Sequence, residues 1–376
     1  MSKIYIFIFL ISLPLLSCSQ NPSPENKQEK VKQTSFQLSD FLQKNQDLED
    51  KVNLVYQKLS DSSRVAQLLM PAVGRLGLPK LEIEELTRKG MIGGVLMLNG
   101  TVDEFTSWIK EFEATNRKKG YLPFLYSADA EPSLVNRKII GSKQVKKAQE
   151  VKTLEEAIEV ANLISSDLTK IGINYNFAPV VDVSTNATVG YRGFGAVKEN
   201  LIPWSNAFIQ TTQKQNIIAT AKHFPGHGLV SGDTHKSLQS INGELKELAN
   251  YPPLIESGVL SIMIAHIAIL NNKQYNTNGL PATISETIVT SLLRKEMGFN
   301  GLIVTDAMNM GGVSKVPNAA VKAVSAGCDI ILMPLDMKLA YNEIWTKYKS
   351  DKAFHSKVED ASKRIIRMKI CLGLIK

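Results

Sequence analysis

Cysteine is scarce in this 376-residue chain: only Cys18, Cys328 and Cys371 occur. Three thiols cannot build a disulfide framework, and none stands in the CxxC spacing of a structural zinc site. Cys328, in AGCDIILMP, and Cys371, in RMKICLGLI, sit in apolar runs and are expected to be buried free thiols. Charge of one sign is nowhere concentrated. The 44 Lys and Arg against 36 Asp and Glu give a net charge of +8, with no long basic block. That spread argues against a nucleic-acid partner and for a solvated surface. No apolar run reaches the roughly 20 residues of a membrane-spanning helix. No Gly-rich dinucleotide loop follows the first strand-like run. At 44% hydrophobic and 21% charged residues, the chain is too apolar to be mostly disordered.

A shorter apolar-type run does open the chain. After Lys3, residues Ile4 to Leu16 carry no charge, and Ser17-Cys18 follow. As a helix this run spans about 20 Å, short of the ~30 Å bilayer core but suited to the hydrophobic region of a secretory signal. Leu15-Leu16-Ser17-Cys18 resembles a bacterial lipobox, whose cysteine becomes the lipidated first residue. Residues 1–17 are therefore expected to be a lipoprotein signal peptide and Cys18 the lipidation site. The protein would be an exported lipoprotein, held by a lipid anchor to a membrane of the cell envelope. Residues 18–45, rich in Gln, Asn, Lys and Ser, bury too little apolar surface to offset their ordering entropy and read as a polar tether. Residues 46–376 read as one domain, with a first helix near Leu48–Leu59.

Eight short, near-continuous apolar runs punctuate that domain, at 65–73, 93–99, 123–131, 173–183, 217–225, 261–269, 301–308 and 328–334. Such runs suit parallel strands buried on both faces. Between them lie amphipathic stretches such as 103–119, 153–170, 286–297 and 317–326, and a last one at 354–370. In 153–170, Leu154, Ile158, Ala161, Leu163 and Leu168 make an approximately helical face, and Thr153 with Glu156 predicts a capping box. Eight strand–helix alternations predict a (β/α)8 barrel of the TIM type. Chemistry in such barrels sits at the C-terminal strand ends, which here read Asp129-Ala-Glu131, Asp182, Lys222-His223, His266 and Asp306.

Three of the five histidines, His223, His227 and His235, crowd into AKHFPGHGLVSGDTH. Pro225 and three glycines make this an irregular loop. Asp233 stands two residues before His235, a spacing that in an extended segment sets a carboxylate beside an imidazole and makes a general acid/base. His223, His227, His235 and Asp233 are also conceivable metal ligands. The Pro-Gly interruption removes the regular helical spacing of zinc hydrolases, so neither a metal nor a cofactor is expected.

KHFPGHG followed by Asp233-x-His235 resembles the signature of family 3 glycoside hydrolases, in their β-N-acetylglucosaminidase branch. The resemblance runs from about Leu59 to the C-terminus through RVAQLLM, GINYNFAPVVDV, GYRGFG, IMIAHI, LPATIS, GFNGLIVTDAMNMGGV and AGCDIILMP, in family order. It implies that Asp306 is the nucleophile and His235 the acid/base, with Asp233 as its partner. It also implies that Asp129, Arg137, Arg192, Lys222 and His223 hold the sugar next to the scissile bond. Hydrolysis would be retaining, through a glycosyl-Asp306 ester. The expected substrate is a GlcNAc-containing oligosaccharide or a muropeptide, met by a monomer.

Glu131 takes no role from the resemblance; it, Asp182 and His266 read as structural, and His355 as exposed. The sequence departs from the family where D-x-E-G-G becomes Asp129-Ala-Glu131-Pro132-Ser133, where Asn-Pro becomes Asn186-Ala187, and where Leu229-Val230 follow Gly228. A β-N-acetylglucosaminide phosphorylase, another β-glycosidase and a non-catalytic sugar-binding lipoprotein are the alternatives. Larger family members draw an acid from a second domain; here it is expected from within the barrel.

Overall fold

The structure, a computed structural model, describes Met1, residues 35–183, Asn186, residues 188–194 and residues 197–376. The expected signal, the lipidation site Cys18 and the tether up to residue 34 lie outside the described residues.

All the barrel strands are short and buried, as two-sided parallel strands must be. The first is interrupted at Pro71, which has no N–H to donate, giving Leu69–Met70 and Ala72–Val73. The second to eighth strands are Gly94–Met97, Leu125–Ala128, Tyr175–Asn176, Ile218–Phe224, Ser261–Ile264, Leu302–Thr305 and Ile331–Leu332. Each pairs in parallel with the next, for example Leu96 with Ser127, Tyr175 with Ile218 and Ile262 with Ile303. Val304 bridges to Ile330, and Leu69 pairs with Ile331 while Ala72 pairs with Leu96. The first strand thus joins the eighth to the second, and the ring is the TIM-type barrel.

Most helices lie where the apolar periodicity puts them. Val102–Lys119 is capped by a reciprocal Thr101–Glu104 box, carries Arg117, Lys118 and Lys119 in its last turn, and stops at left-handed Gly120. Leu154–Ile171 differs from expectation in two ways. Thr153 accepts from the Glu156 N–H, but the Glu156 carboxylate turns to the Lys152 N–H, so the box is only half formed. Its buried face is Ala157, Val160, Ala161, Ile164, Leu168 and Ile171, whereas Leu154 and Ile158 are exposed. Residues 65–66 end a helix rather than begin the first strand. The apolar run 261–269 splits in two, its second half, Ile267–Leu270, pairing with Gln239–Asn242 outside the barrel ring.

The packed body also begins earlier than residue 46. Phe36, Leu38 and Phe41 are buried, and Arg367 of the last helix donates to the Phe41 and Gln43 carbonyls at 2.6 Å each. These apolar side chains, isolated among polar neighbours, are what a search for long apolar runs passes over. Cys328 and Cys371 are buried free thiols. His355 is half-buried, its ring edge-on to Tyr348 at 4.3 Å, because its helix packs against the preceding one.

Candidate active site

Loops at the C-terminal strand ends enclose a cavity of about 410 Å³ whose walls include Asp129, Arg137, Arg192, Lys222, His223, His235 and Asp306. Asp129 and Asp306, 177 positions apart in the chain, meet there because a parallel barrel delivers every strand end to one face.

The floor is a ladder of alternating charges. Lys138 Nζ donates to Asp129 Oδ2 at 2.7 Å, and Lys222 Nζ donates to Asp129 Oδ1 at 3.0 Å. Lys222 also meets Glu131 Oε1 at 2.6 Å, and Arg192 grips the same carboxylate through Nε at 2.8 Å and Nη2 at 2.6 Å. Glu131 and Lys222 are almost wholly out of water, so each needs its partners. Burial disfavours ionisation of Asp129, but the Lys138 and Lys222 ammonium groups outweigh it and hold the carboxyl well below its usual range. Burial likewise opposes the charge on Glu131, yet Arg192 and Lys222 bring its pKa down to about 2. Glu131, left without a function by the sequence, is the rung that orients two of the expected sugar-binding cations. Arg137 stands exposed at the mouth, with no side-chain partner among the described residues.

A second network holds the histidines. Asp182 Oδ2 accepts from His223 Nδ1 at 2.6 Å, and Asp182 Oδ1 accepts from the His227 N–H at 2.8 Å. This fixes the His223 tautomer and leaves its Nε2 as the atom available to the cavity. The Lys222–His223 peptide is cis. His227 is buried with Nε2 at 2.9 Å from Thr234 Oγ1; burial, and then His223, depress its pKa. His266 is buried between Thr283 and the Ala307 carbonyl, which fits the structural reading.

Asp306 ends the seventh strand, half-buried in the cavity, and its Oδ1 accepts from the Ala307 N–H at 2.8 Å. Burial opposes its charge, but His223, His266 and the Ala307 N–H together lower its pKa. A fixed, ionised carboxylate with one oxygen tied to a backbone N–H has the chemistry that a nucleophile requires.

His235 and Asp233 pair as expected but by other geometry. The segment is a turn, in which Asp233 Oδ1 accepts both the His235 N–H at 2.9 Å and His235 Nδ1 at 2.7 Å. His235 remains largely in water, with 59% of its side chain exposed. Burial raises and the two His235 donors lower the Asp233 pKa, with a net decrease. The loop is pinned from beneath by the segment after the seventh strand. Gly311 N–H donates to the His235 carbonyl at 2.9 Å and Gly312 N–H to the Thr234 carbonyl at 3.0 Å. A Cβ on Gly311 would stand 2.2 Å from the Lys236 carbonyl oxygen, so only glycine permits this approach.

The departures from the family pattern find local partners. Ser133 Oγ donates to the Tyr191 carbonyl at 2.9 Å, tying the third loop to the fourth. Asn186 donates to the Val230 and Gly232 carbonyls, and Val230 packs on Ala265 and Ile267. Glu247 accepts from the Val183 N–H at 2.7 Å and the Leu229 N–H at 3.2 Å, joining the fourth loop to the histidine loop. Lys138 and Glu247 carried no legible signal: each is an ordinary residue type in a short helix, and only folding gives it its neighbours. Among the described residues no cluster of three His, Cys, Asp or Glu is arranged to hold a metal ion.

Comparison with known proteins follows the same span. Residues 62–368 match the model of the glycosyl hydrolase family 3 N-terminal domain. The chain is 30% identical over 287 residues to beta-hexosaminidase A of Pseudoalteromonas piscicida, covering 68% of this chain and 48% of that one. It is 27% identical over 311 residues to a beta-N-acetylglucosaminidase/beta-glucosidase of Cellulomonas fimi, covering 77% and 54%. The chain thus spans about half the length of these curated relatives. Among solved structures, a family 3 beta-N-acetylglucosaminidase from a Paenibacillus strain superposes with a TM-score of 0.75 at 28% identity, covering 84% of this chain and 63% of that one.

Proposed function

The chain belongs to glycosyl hydrolase family 3, and from that premise we propose that it is a retaining exo-β-N-acetylglucosaminidase acting on terminal GlcNAc of peptidoglycan fragments or chitooligosaccharides. The observation that carries the reading is the joint presence of Asp306 and His235 in one cavity lined also by Asp129, Lys222 and Arg192, with Asp233 paired to His235 and Glu131 bridging the two cations from behind. Asp306 Oδ2, the oxygen not tied to Ala307, attacks the anomeric carbon. His235 Nε2 protonates the departing glycosidic oxygen while Asp233 holds the Nδ1–H and stabilises the imidazole. In the second half, His235 Nε2 takes a proton from water, and the hydroxyl displaces Asp306 from the sugar. Asp129 accepts hydrogen bonds from ring hydroxyls, and the open cations donate to the remaining oxygens.

The test is release of p-nitrophenol from the β-GlcNAc glycoside, compared with the β-glucoside. Turnover of the glucoside alone would overturn the reading. Phosphate as the acceptor is a second reading, favoured because Arg137 stands open at the mouth of the cavity. Formation of a sugar phosphate in phosphate buffer decides it. The envelope anchorage through Cys18 is likewise our proposal, resting on the Leu15-Leu16-Ser17-Cys18 motif. A Cys18→Ser chain that still incorporated labelled fatty acid would refute it.

A further inference from the structure

The carboxylates at the cavity floor are already balanced without Lys138. Asp129 and Glu131 supply two negative charges, and Lys222 and Arg192 supply two positive ones within hydrogen-bond distance. Lys138 adds a third cation, 2.7 Å from Asp129 Oδ2, with its side chain 18% exposed and facing the same cavity.

Its position is built rather than incidental. The chain leaves Asp129 and turns at once, the Glu131 carbonyl accepting from the Leu134 and Val135 N–H groups. The short helix Val135–Lys138 then brings residue 138 back beside residue 129. The following Ile139–Ile140 pairs with Gly100–Thr101, which fixes where Lys138 begins.

We propose that Lys138 is a substrate-contacting, specificity-determining residue that reads one ring hydroxyl of the terminal sugar together with Asp129. The chemistry is that of donor and acceptor. A carboxylate only accepts, so a sugar hydroxyl that gives its proton to Asp129 Oδ2 keeps its own lone pairs unmatched. An ammonium has three donors, of which Lys138 spends one on that same carboxylate oxygen. Two donors remain for a group bound in the cavity that Lys138 lines. Asp129 and Lys138 thus recognise a group that both donates and accepts, which is a hydroxyl and neither an ether nor a hydrogen. This rests on the glycosidase reading above and names a residue that reading does not use.

The test compares wild type, Lys138→Met and Lys138→Gln on the p-nitrophenyl β-GlcNAc glycoside and on analogues each lacking one ring hydroxyl. Loss of a charge-assisted hydrogen bond predicts a fall in kcat/KM of roughly 10- to 100-fold for Lys138→Met on the full sugar. On one of the deoxy analogues the gap between wild type and Lys138→Met should shrink to within about threefold, as coupled partners do in a double-mutant cycle. Lys138→Gln, which keeps a donor, should recover part of the loss. An equal loss on every analogue would overturn the proposal, because it would make Lys138 a residue that only positions Asp129. Circular dichroism and thermal unfolding of both variants separate misfolding from lost recognition. If the wild type released no nitrophenol, the hydrolase reading would fall on its own. Calorimetric binding of GlcNAc and its deoxy forms would then read the same pattern for Lys138, with the same two outcomes.

Discussion

Replacing Glu131 by Gln tests the ladder most directly, because the side chain is wholly buried and touches no more than the two cations it orients. The magnitude follows from its acidity. A carboxyl lowered from 4.5 to about 2 in the folded state stabilises that state by about 3 kcal/mol at neutral pH, at roughly 1.4 kcal/mol per pH unit. Because the folded pKa is depressed, this stability is present above pH 4.5 and is lost as the pH falls toward 2. Removing one partner of a buried pair costs about 3–5 kcal/mol in general. Gln keeps one acceptor oxygen and has nearly the same shape, so the low end, about 3 kcal/mol, is expected. At roughly 2 °C per kcal/mol for a domain of this size, thermal unfolding at pH 7 should fall by about 6 °C. The acid limb of the stability curve should flatten in the variant. Catalysis should fall as well, because Arg192 and Lys222 lose the carboxylate that aims them. A Glu131→Gln/Lys222→Met double variant should lose less than the sum of the two single changes. An unfolding midpoint within about 1 °C of wild type, with unchanged kcat/KM, would refute the reasoning.

Other substitutions probe the chemistry and its support. Asp306→Asn should lower kcat by about a thousandfold or more at unchanged fold, measured on the chromogenic β-GlcNAc glycoside. His235→Ala should lose about 100- to 10,000-fold on that substrate but far less on a dinitrophenyl glycoside, whose leaving group needs no proton; equal losses on both would remove His235 as the acid. Burial, followed by the neighbouring Asp182 carboxylate, pushes Glu247 up to about 7. A raised carboxyl stabilises the fold below its unfolded pKa of 4.5, and that contribution disappears as the pH rises through about 7. Wild type should therefore lose stability between pH 5 and 8 in urea unfolding, whereas Glu247→Gln should start lower and stay flat. Parallel curves would show that Glu247 does not titrate there. Gly311→Ala should weaken the pin beneath the His235 loop, lowering kcat/KM more than the unfolding midpoint.

The chain's own order of residues determined the barrel. Eight buried apolar runs separated by amphipathic stretches admit few closed arrangements, and the runs at 93–99 and 217–225 contain their strands within two residues at either end. Asp306, Asp233 and His235 were legible because they stand in contiguous motifs beside glycines and prolines, where local sequence carries the signal. The run at 173–183 shows the limit: only Tyr175–Asn176 pairs as a regular strand there, and Asp182 lies beyond it, turned to hold His223. The Asp233–His235 contact was legible, but its turn geometry was not, since a spacing of two residues suits a strand and a turn equally. What no local pattern contains is the pairing of residues distant in sequence. Lys222 meets Asp129 across 93 positions, and Arg192 meets Glu131 across 61. Those contacts arise because parallel strands deliver their ends to one rim, where burial makes any unmatched charge costly. The sequence determined which residues reach the rim; tertiary structure decided which charges face each other across it, and so gave Glu131 and Lys138 their places.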